Sequence, residues 1–96
     1  MTLRFTLEAL SHIAAIHSHI EAKCATAAAH IRDRIFADCQ RLSEFPQIGH
    51  VGVVPGTYEW IVNGLPYIIV HEIDPKCHQV VILGIFHGAQ DRQSLP

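Results

Sequence analysis

Basic residues are scarce in this 96-residue chain, which has seven Lys and Arg against nine Asp and Glu and a formal net charge of -2 at pH 7. Not one Lys or Arg lies between Glu44 and Ile73. Proteins that hold long stretches of nucleic acid do so chiefly by neutralising phosphates. The composition argues against that class, although it does not exclude a local basic patch.

Long apolar runs are also missing. The longest, Ile13 to Ile16 and Val80 to Phe86, fall well short of the roughly 20 residues that cross a bilayer. The first residues open directly into a strand-like segment and do not have the layout of a signal peptide. We therefore expect a cytoplasmic protein that makes no membrane contact.

Metal-binding patterns are absent despite eight histidines. His12, His17 and His19 lie on one predicted helix, but no two of them have the i, i+4 spacing that directs two ligands at one ion. The three cysteines are far apart and form no C-x-x-C pair. In a reducing compartment they are best interpreted as small hydrophobic residues. We predict no metal site.

Patterns for nucleotide binding and nucleophilic catalysis are equally absent. The glycines Gly49, Gly52 and Gly56 precede a predicted strand, whereas phosphate-binding loops lead into a helix. The serines lie in predicted helices or the tail without a nucleophile elbow. The residues alone therefore indicate no cofactor and no catalytic group.

The secondary-structure signals, in contrast, are clear. A short strand at Leu3 to Phe5 is followed by Thr6, a predicted helix N-cap. Apolar residues spaced three and four apart predict helices from Leu7 to about Cys24 and from about Thr26 to Glu44. Phe45-Pro46 ends the second helix. The short break between the two favours a helical hairpin.

Strand signals dominate the rest of the chain. Thr57 to Val62 and Leu65 to Ile73 flank Asn63-Gly64, a pair typical of a tight hairpin turn in which both residues take positive φ. The last strand runs from Gln79 to His87 after a turn at Asp74-Pro75-Lys76. The predicted fold is α+β, in the order β-α-α-β-β-β, with a helical hairpin packed on one antiparallel sheet and a single domain over residues 1–96. The predicted core comprises Ile13, Ile20, Ile31, Ile35, Leu42, Ile69, Val70, Val81 and Leu83.

The stretch His87-Gly88-Ala89-Gln90-Asp91-Arg92 is the candidate functional segment. It joins an imidazole able to act as an acid or base, a strand break and a charged tail. On the residues alone, the simpler interpretation is a strand end closed by a turn, with His87 half buried.

Five short segments, in a fixed order and spacing from Leu3 to about Arg92, carry a resemblance to a known family. They are Phe5 to Leu10, similar to a strand followed by a T-P-E-A helix start; Leu42 to Gly49, similar to L-x-x-x-P-x-x-G; Val54 to Thr57, similar to V-P-G-T/L-R; Gly64 to Val70, similar to P-Y-x-I-x-Y; and Val81 to Asp91, similar to I-x-I-L-x-V-x-H-G-A-Q-D. Together they resemble the RelE/ParE toxin superfamily, and most closely its ParE-like (plasmid stabilisation) toxins.

The resemblance implies a toxin of a type II toxin–antitoxin system, silenced by a cognate antitoxin that wraps it. ParE-like toxins poison DNA gyrase through protein–protein contact, and we expect gyrase as the target without sequence-specific nucleic-acid binding. By family analogy the partner-binding residues are His87, Gln90, Asp91 and Arg92, with the helical hairpin as a second surface. No catalytic residue is assigned under this interpretation.

Two alternatives stay open. RelE-like relatives enter the ribosomal A site and cleave mRNA, which would make His87 the acid and place Arg4 or Arg92 on the phosphate. A non-toxic module that only binds its antitoxin and regulates their operon is the other.

The sequence departs from the family pattern at three positions. Tyr58 and His50 stand where the family commonly has Arg, and His71 stands in place of a tyrosine. Cleavage of RNA needs cations that stabilise developing negative charge. These departures therefore favour gyrase over mRNA as the target, and they are also compatible with a weakened toxin.

Overall fold

Residues 1–88, the part of the chain that the computed structural model describes, form two helices and five strands. In chain order they are β1 (Thr2–Phe5), α1 (Leu7–Glu21), α2 (Ala25–Glu44), β2 (His50–Val51), β3 (Tyr58–Ile61), β4 (Tyr67–Asp74) and β5 (Gln79–His87). The predicted α+β class and element order are confirmed. The two-residue strand β2 is an addition that the sequence pattern did not predict.

The strands form one sheet in the order β1-β5-β4-β3-β2. The pairs among β2, β3, β4 and β5 are antiparallel, whereas β1 runs parallel to β5. The sheet is therefore mixed, and the prediction of a wholly antiparallel sheet was too simple. Strand β1 pairs with β5, the last strand in chain order. The periodicity of residues within a strand carries no information about a pairing between such distant segments.

The helix ends follow local capping chemistry. The Thr6 hydroxyl accepts a hydrogen bond from the backbone N–H of Ala9 at 3.1 Å, which confirms Thr6 as the N-cap of α1. Helix α2 begins after Cys24, whose Sγ accepts from the N–H of Ala27 at 3.5 Å. Helix α1 ends at Glu21, earlier than the predicted end at about Cys24. Neither helix is long and apolar enough to span a lipid bilayer.

The turn between β3 and β4 differs in detail from the prediction. Gly64 has φ 76°, but Asn63 does not have a positive φ. The Leu65 N–H donates to the Val62 carbonyl at 3.1 Å. A positive φ at the third turn position alone is the pattern of a type II turn, so the expectation that both residues take positive φ was wrong. The hairpin itself is confirmed.

The core lies between the helical hairpin and one face of the sheet. Of the predicted core residues, Ile13, Ile35, Leu42 and Ile69 belong to it, and Val70 and Val81 are buried outside this cluster. Ile20 and Ile31 are only partly buried. The remaining members of the cluster are Ala9, Cys39, Val62, Val80, Ile82 and Ile85. The hairpin thus covers one face of the sheet, and its apolar stripe matches the predicted helical periodicity.

A bulge in β5 corrects the predicted core at Leu83. Val70 lies opposite Gly84 and His71 lies opposite Ile82, so Leu83 is an extra residue without a partner on β4. An extra residue of this kind shifts the alternation of side chains along the strand. Ile82 and Ile85 therefore both face the core, while Leu83 is only half-buried.

Candidate functional site

The sheet has a second face that the helices do not cover, here called the open face. Ile68, Val70 and Val81 alternate along their strands with core residues and therefore point away from the helices. Ile61 and Phe86 lie opposite Ile68 on the two neighbouring strands, and the Phe86 ring contacts the His12 ring of α1, with the centroids 5.0 Å apart. Ile61 is 55% exposed. Ile68, Val70 and Val81 are nevertheless buried, at 9%, 1% and 1% exposed, so these three side chains do not form an exposed apolar patch.

The charges of the open face are mostly acidic. Glu59 lies opposite Val70 and is buried, and its carboxylate accepts a hydrogen bond from the Val53 N–H at 3.0 Å. Glu72 lies opposite Val81, and Arg4 pairs with Val81 from the other neighbouring strand. Strands β2, β3 and β4 contribute no Lys or Arg. Such a surface has no group of cations that would stabilise a negatively charged transition state.

His87 ends β5 opposite Tyr67, with the two ring centroids 6.1 Å apart and the ring planes at 90°. The next N–H, from Gly88, donates to the Pro66 carbonyl at 2.8 Å. His87 is exposed to solvent, whereas the simpler sequence interpretation expected it to be half buried. The fold thus presents this imidazole at the end of the sheet.

The other three predicted partner-binding residues, Gln90, Asp91 and Arg92, lie outside the described residues. Their role, like that of His87, stays a prediction.

The fold does not bring Arg4 to His87. Arg4 pairs with Val81, which precedes His87 by six residues along β5. At roughly 3.3 Å per residue this is a separation of about 20 Å, which is beyond the reach of an arginine side chain. Arg4 instead donates to the Gln79 side chain at 3.2 Å. The ribonuclease alternative therefore loses one of the two arginines proposed to bind its phosphate.

A different cation reaches the end of the sheet where β3 turns into β4. The Arg34 guanidinium on α2 donates to the Asn63 carbonyl at 2.6 Å. This bond joins residues that are 29 positions apart, so no sequence pattern indicated it. Arg34 binds the turn, and its role there is structural.

The three departures from the family pattern lie close together in the fold. The rings of Tyr58 and His71 are stacked with centroids 5.9 Å apart. His50 pairs with Glu59, the neighbour of Tyr58, and Gly49 packs against the His71 ring. A Cβ at Gly49 would lie 2.9 Å from His71 Cε1. We call Gly49, Tyr58 and His71 the His71 cluster.

Burial dominates the electrostatics of the His71 cluster. His71 is 0% exposed, and burial lowers the pKa of its imidazole. The backbone carbonyls of Ile69 and Pro46 act in the opposite direction, but with less effect. His71 is therefore neutral at pH 7 and is too enclosed to contact a substrate.

Two of the three cysteines, Cys39 and Cys77, are disfavoured as nucleophiles because their thiols resist deprotonation. Burial, assisted by the charge of Asp38, raises the pKa of the Cys39 thiol to about 12. A hydrogen bond with Asp74 raises the pKa of Cys77. Within residues 1–88 no three His, Cys, Asp or Glu side chains form a group that would hold a metal ion, and no pocket opens on the surface. The open face and the end of β5 are the surfaces left for a function.

Comparisons with known proteins agree on a single superfamily. The model of a family described as the ParE toxin of the type II toxin–antitoxin system parDE matches residues 3–92. No curated protein sequence matches the chain.

Three solved structures share the fold. In a chromosomal ParDE toxin–antitoxin system from P. aeruginosa, a chain is 21% identical with a TM-score of 0.80, over 91% of this chain and 95% of that one. In the intact E. coli RelBE toxin–antitoxin complex, the values are 16% identity, a TM-score of 0.65, and coverage of 94% and 98%. In the RelBE2 toxin–antitoxin complex from Mycobacterium tuberculosis, a chain is 26% identical with a TM-score of 0.59, over 90% of this chain and 95% of that one.

Proposed function

The chain belongs to the ParE toxin family of type II toxin–antitoxin systems, and we propose that it inhibits DNA gyrase by protein–protein contact in the cytoplasm. One observation carries the choice of gyrase over mRNA. From Glu44 to Ile73, which includes β2, β3 and β4, the chain has no Lys or Arg. Phosphodiester cleavage needs preorganised positive charge at the scissile phosphate, and loss of one such donor typically costs about 10²- to 10³-fold in rate.

The target contact is proposed at the end of β5, with His87, Gln90, Asp91 and Arg92 as its residues. His87 is exposed and its position is fixed by strand pairing, as suits a contact residue. The helical hairpin is the second proposed surface. Leu7, 81% exposed at the start of α1, gives it an apolar group available to a partner.

Three assays separate the functions: gyrase-dependent DNA cleavage and ribosomal A-site mRNA cleavage with the purified toxin, and growth arrest of cells on induction. We expect gyrase-linked DNA breaks that decrease in His87→Ala and persist in His50→Ala, a matched change of an exposed histidine on β2. Codon-specific mRNA cuts that vanish in His87→Ala would establish the ribonuclease instead. No effect in any assay would favour the module that only binds its antitoxin.

The proposed second partner is a small, largely acidic antitoxin encoded beside this gene. The exposed apolar side chains Leu7, Val51 and Phe45 are compatible with such a partner, because a partner that covered them would remove apolar surface from water. Two of the structurally similar chains come from toxin–antitoxin complexes. Purification from native expression should recover a second short chain from the neighbouring gene. Recovery of a harmless monomer alone would count against the proposal.

A further inference from the structure

His71 is a polar side chain in a dry environment. It is 0% exposed, and neither Nδ1 nor Nε2 makes a hydrogen bond of good geometry, although the backbone carbonyls of Ile69 and Pro46 approach the ring. A neutral imidazole carries one donor and one acceptor, and in water both would be hydrogen-bonded. Burial without good hydrogen bonds is unfavourable for the neutral ring and much more so for the charged one. The ring is therefore tolerated here only while it is neutral.

The segment between α2 and β3 rests on this ring. Gly49 approaches it so closely that an added Cβ would lie 2.9 Å from Cε1. The Pro46 carbonyl is near the imidazole as well. On the other side, the ring of Tyr58 stacks on His71 at 5.9 Å. We call residues 46–51, which run from Pro46 through β2, the latch segment.

Within residues 1–88, no charged side chain contributes to the pKa shift of His71 or compensates a proton on it. From β3 it faces the Tyr58 phenol ring, and from β5 it lies opposite the apolar Ile82. Glu59, the adjacent acid on β3, alternates to the open face, where it accepts from the Val53 N–H. The two ion pairs among the described residues do not include His71.

The latch segment itself also brings no charge to the ring. Its titratable residue, His50, and the nearby Glu44 are both exposed to solvent. The burial that lowers the pKa of His71 is thus opposed only by backbone carbonyls.

We infer that His71 is a pH-dependent latch, which holds the latch segment on the sheet while neutral and releases it when protonated. An imidazolium needs water or an anion, and displacement of the segment that packs against this ring would give it access to water. Release would detach β2 from β3 and expose the outer edge of β3, because β2 pairs only with Tyr58 and Glu59. The device is local and does not depend on the proposed target.

Amide hydrogen exchange on the whole protein tests the latch. Protection factors, corrected for intrinsic exchange, are measured from about pH 7.5 to about pH 5.5. The Gly52 N–H, which donates to the Thr57 carbonyl at 2.9 Å, and the Val53 N–H report release of the segment. Below about pH 6.5 their protection should fall by up to about tenfold per pH unit, because each opening takes up one proton. Amides of the β4–β5 ladder should keep theirs.

Two variants separate His71 from the other titrating groups. In His71→Phe, which keeps a planar ring, protection of the latch segment should no longer depend on pH beyond the intrinsic rates. In His30→Gln, which removes an exposed histidine of α2, the wild-type fall should persist. A wild-type segment with pH-independent protection would overturn the inference, as would an equal fall in His71→Phe.

The imidazole signals of the wild-type protein give a second test that needs no variant. If His71 titrates like an exposed histidine while the latch segment stays protected, the latch is refuted. If its titration is displaced to lower pH and coincides with loss of protection at Gly52, the inference is supported.

Discussion

Two adjacent residues of β5 give the most direct test of the fold, because the bulge assigns them opposite environments. Ile82 is 0% exposed and belongs to the core cluster, whereas Leu83 is half-buried and lies outside it. Strict alternation without a bulge would put Leu83, and not Ile82, on the same face as Ile85. Replacing each residue by Ala therefore asks whether the bulge exists.

The expected losses differ by more than experimental error. Ile82→Ala empties a fully enclosed site and should lower the free energy of unfolding by about 2–5 kcal/mol. Leu83→Ala removes a side chain that is already partly in water, and a loss of about 1 kcal/mol is expected from its smaller buried area. Both changes replace an aliphatic residue by Ala in the same strand, and strand propensities differ by no more than about 1 kcal/mol, so the difference in burial dominates the comparison.

Urea-induced unfolding followed by circular dichroism measures both losses on one scale, and the dependence on urea should be alike in the two variants and the wild type. A Leu83→Ala loss equal to or greater than the Ile82→Ala loss would show that the register of β5 is wrong. It would also remove the structural reason for correcting the predicted core.

Three further changes test single contacts by the same unfolding measurement. Thr6→Val should cost about 1–2 kcal/mol because it removes the N-cap hydroxyl, which also donates to the Ile82 carbonyl at 3.2 Å, whereas Thr6→Ser should keep most of the stability. Trp60→Phe should cost about 1.5–3 kcal/mol by deleting the 3.0 Å hydrogen bond from Nε1 to Asp38, and Asp38→Asn should lose less. His71→Phe should raise the free energy of unfolding at pH 7 by about 1 kcal/mol, since it removes two buried polar atoms that lack hydrogen bonds of good geometry. As pH falls below about 6.5, the wild type should lose stability. The lowered pKa of His71 means that the folded chain binds a proton at this imidazole less well than the unfolded chain does. His71→Phe should not show this part of the loss.

The elements of this fold could be predicted from the sequence because their signals are local. The N-cap at Thr6 and the end of α2 before Pro46 each depend on a few neighbouring residues. The hairpin at Gly64 is equally local, although the choice of turn type also depends on how the flanking strands pair. Local signals therefore predict where elements begin and end.

The arrangement of these elements depended on contacts that are distant in the sequence. The parallel pairing of β1 with β5 joins the two ends of the described chain. The bulge at Leu83 coincides with two hydrogen bonds from the Thr6 hydroxyl, to the carbonyls of Ile82 and Leu83. No periodicity within β5 reports a partner that lies 76 or 77 residues away.

The candidate site shows the same division. The sequence revealed Tyr58, His50 and His71 as separate departures from a family pattern, and only the fold puts two of them in ring contact. The fold also places Arg4 far from His87, although the family motifs alone had allowed these two residues to act together. The sequence could predict which residue types are unusual for the family. Which of these residues lie close together could be known only from the register of the strands.

The distribution of charge gives the strongest physical reason to prefer a protein target. Three of the arginines in the described part of the chain are already engaged: Arg4 with Gln79, Arg32 with Asp33 and Arg34 with the Asn63 carbonyl. A ribonuclease would have to assemble its positive charge elsewhere, and imidazoles with an ordinary pKa near 6.5 are mostly neutral in cells. Contact with a protein makes no such demand, because burial of apolar surface contributes about 25 cal/mol per Å² without any cation. On the open face, strands β3 and β4 contribute no Lys or Arg, so they offer no attraction to the phosphates of an RNA.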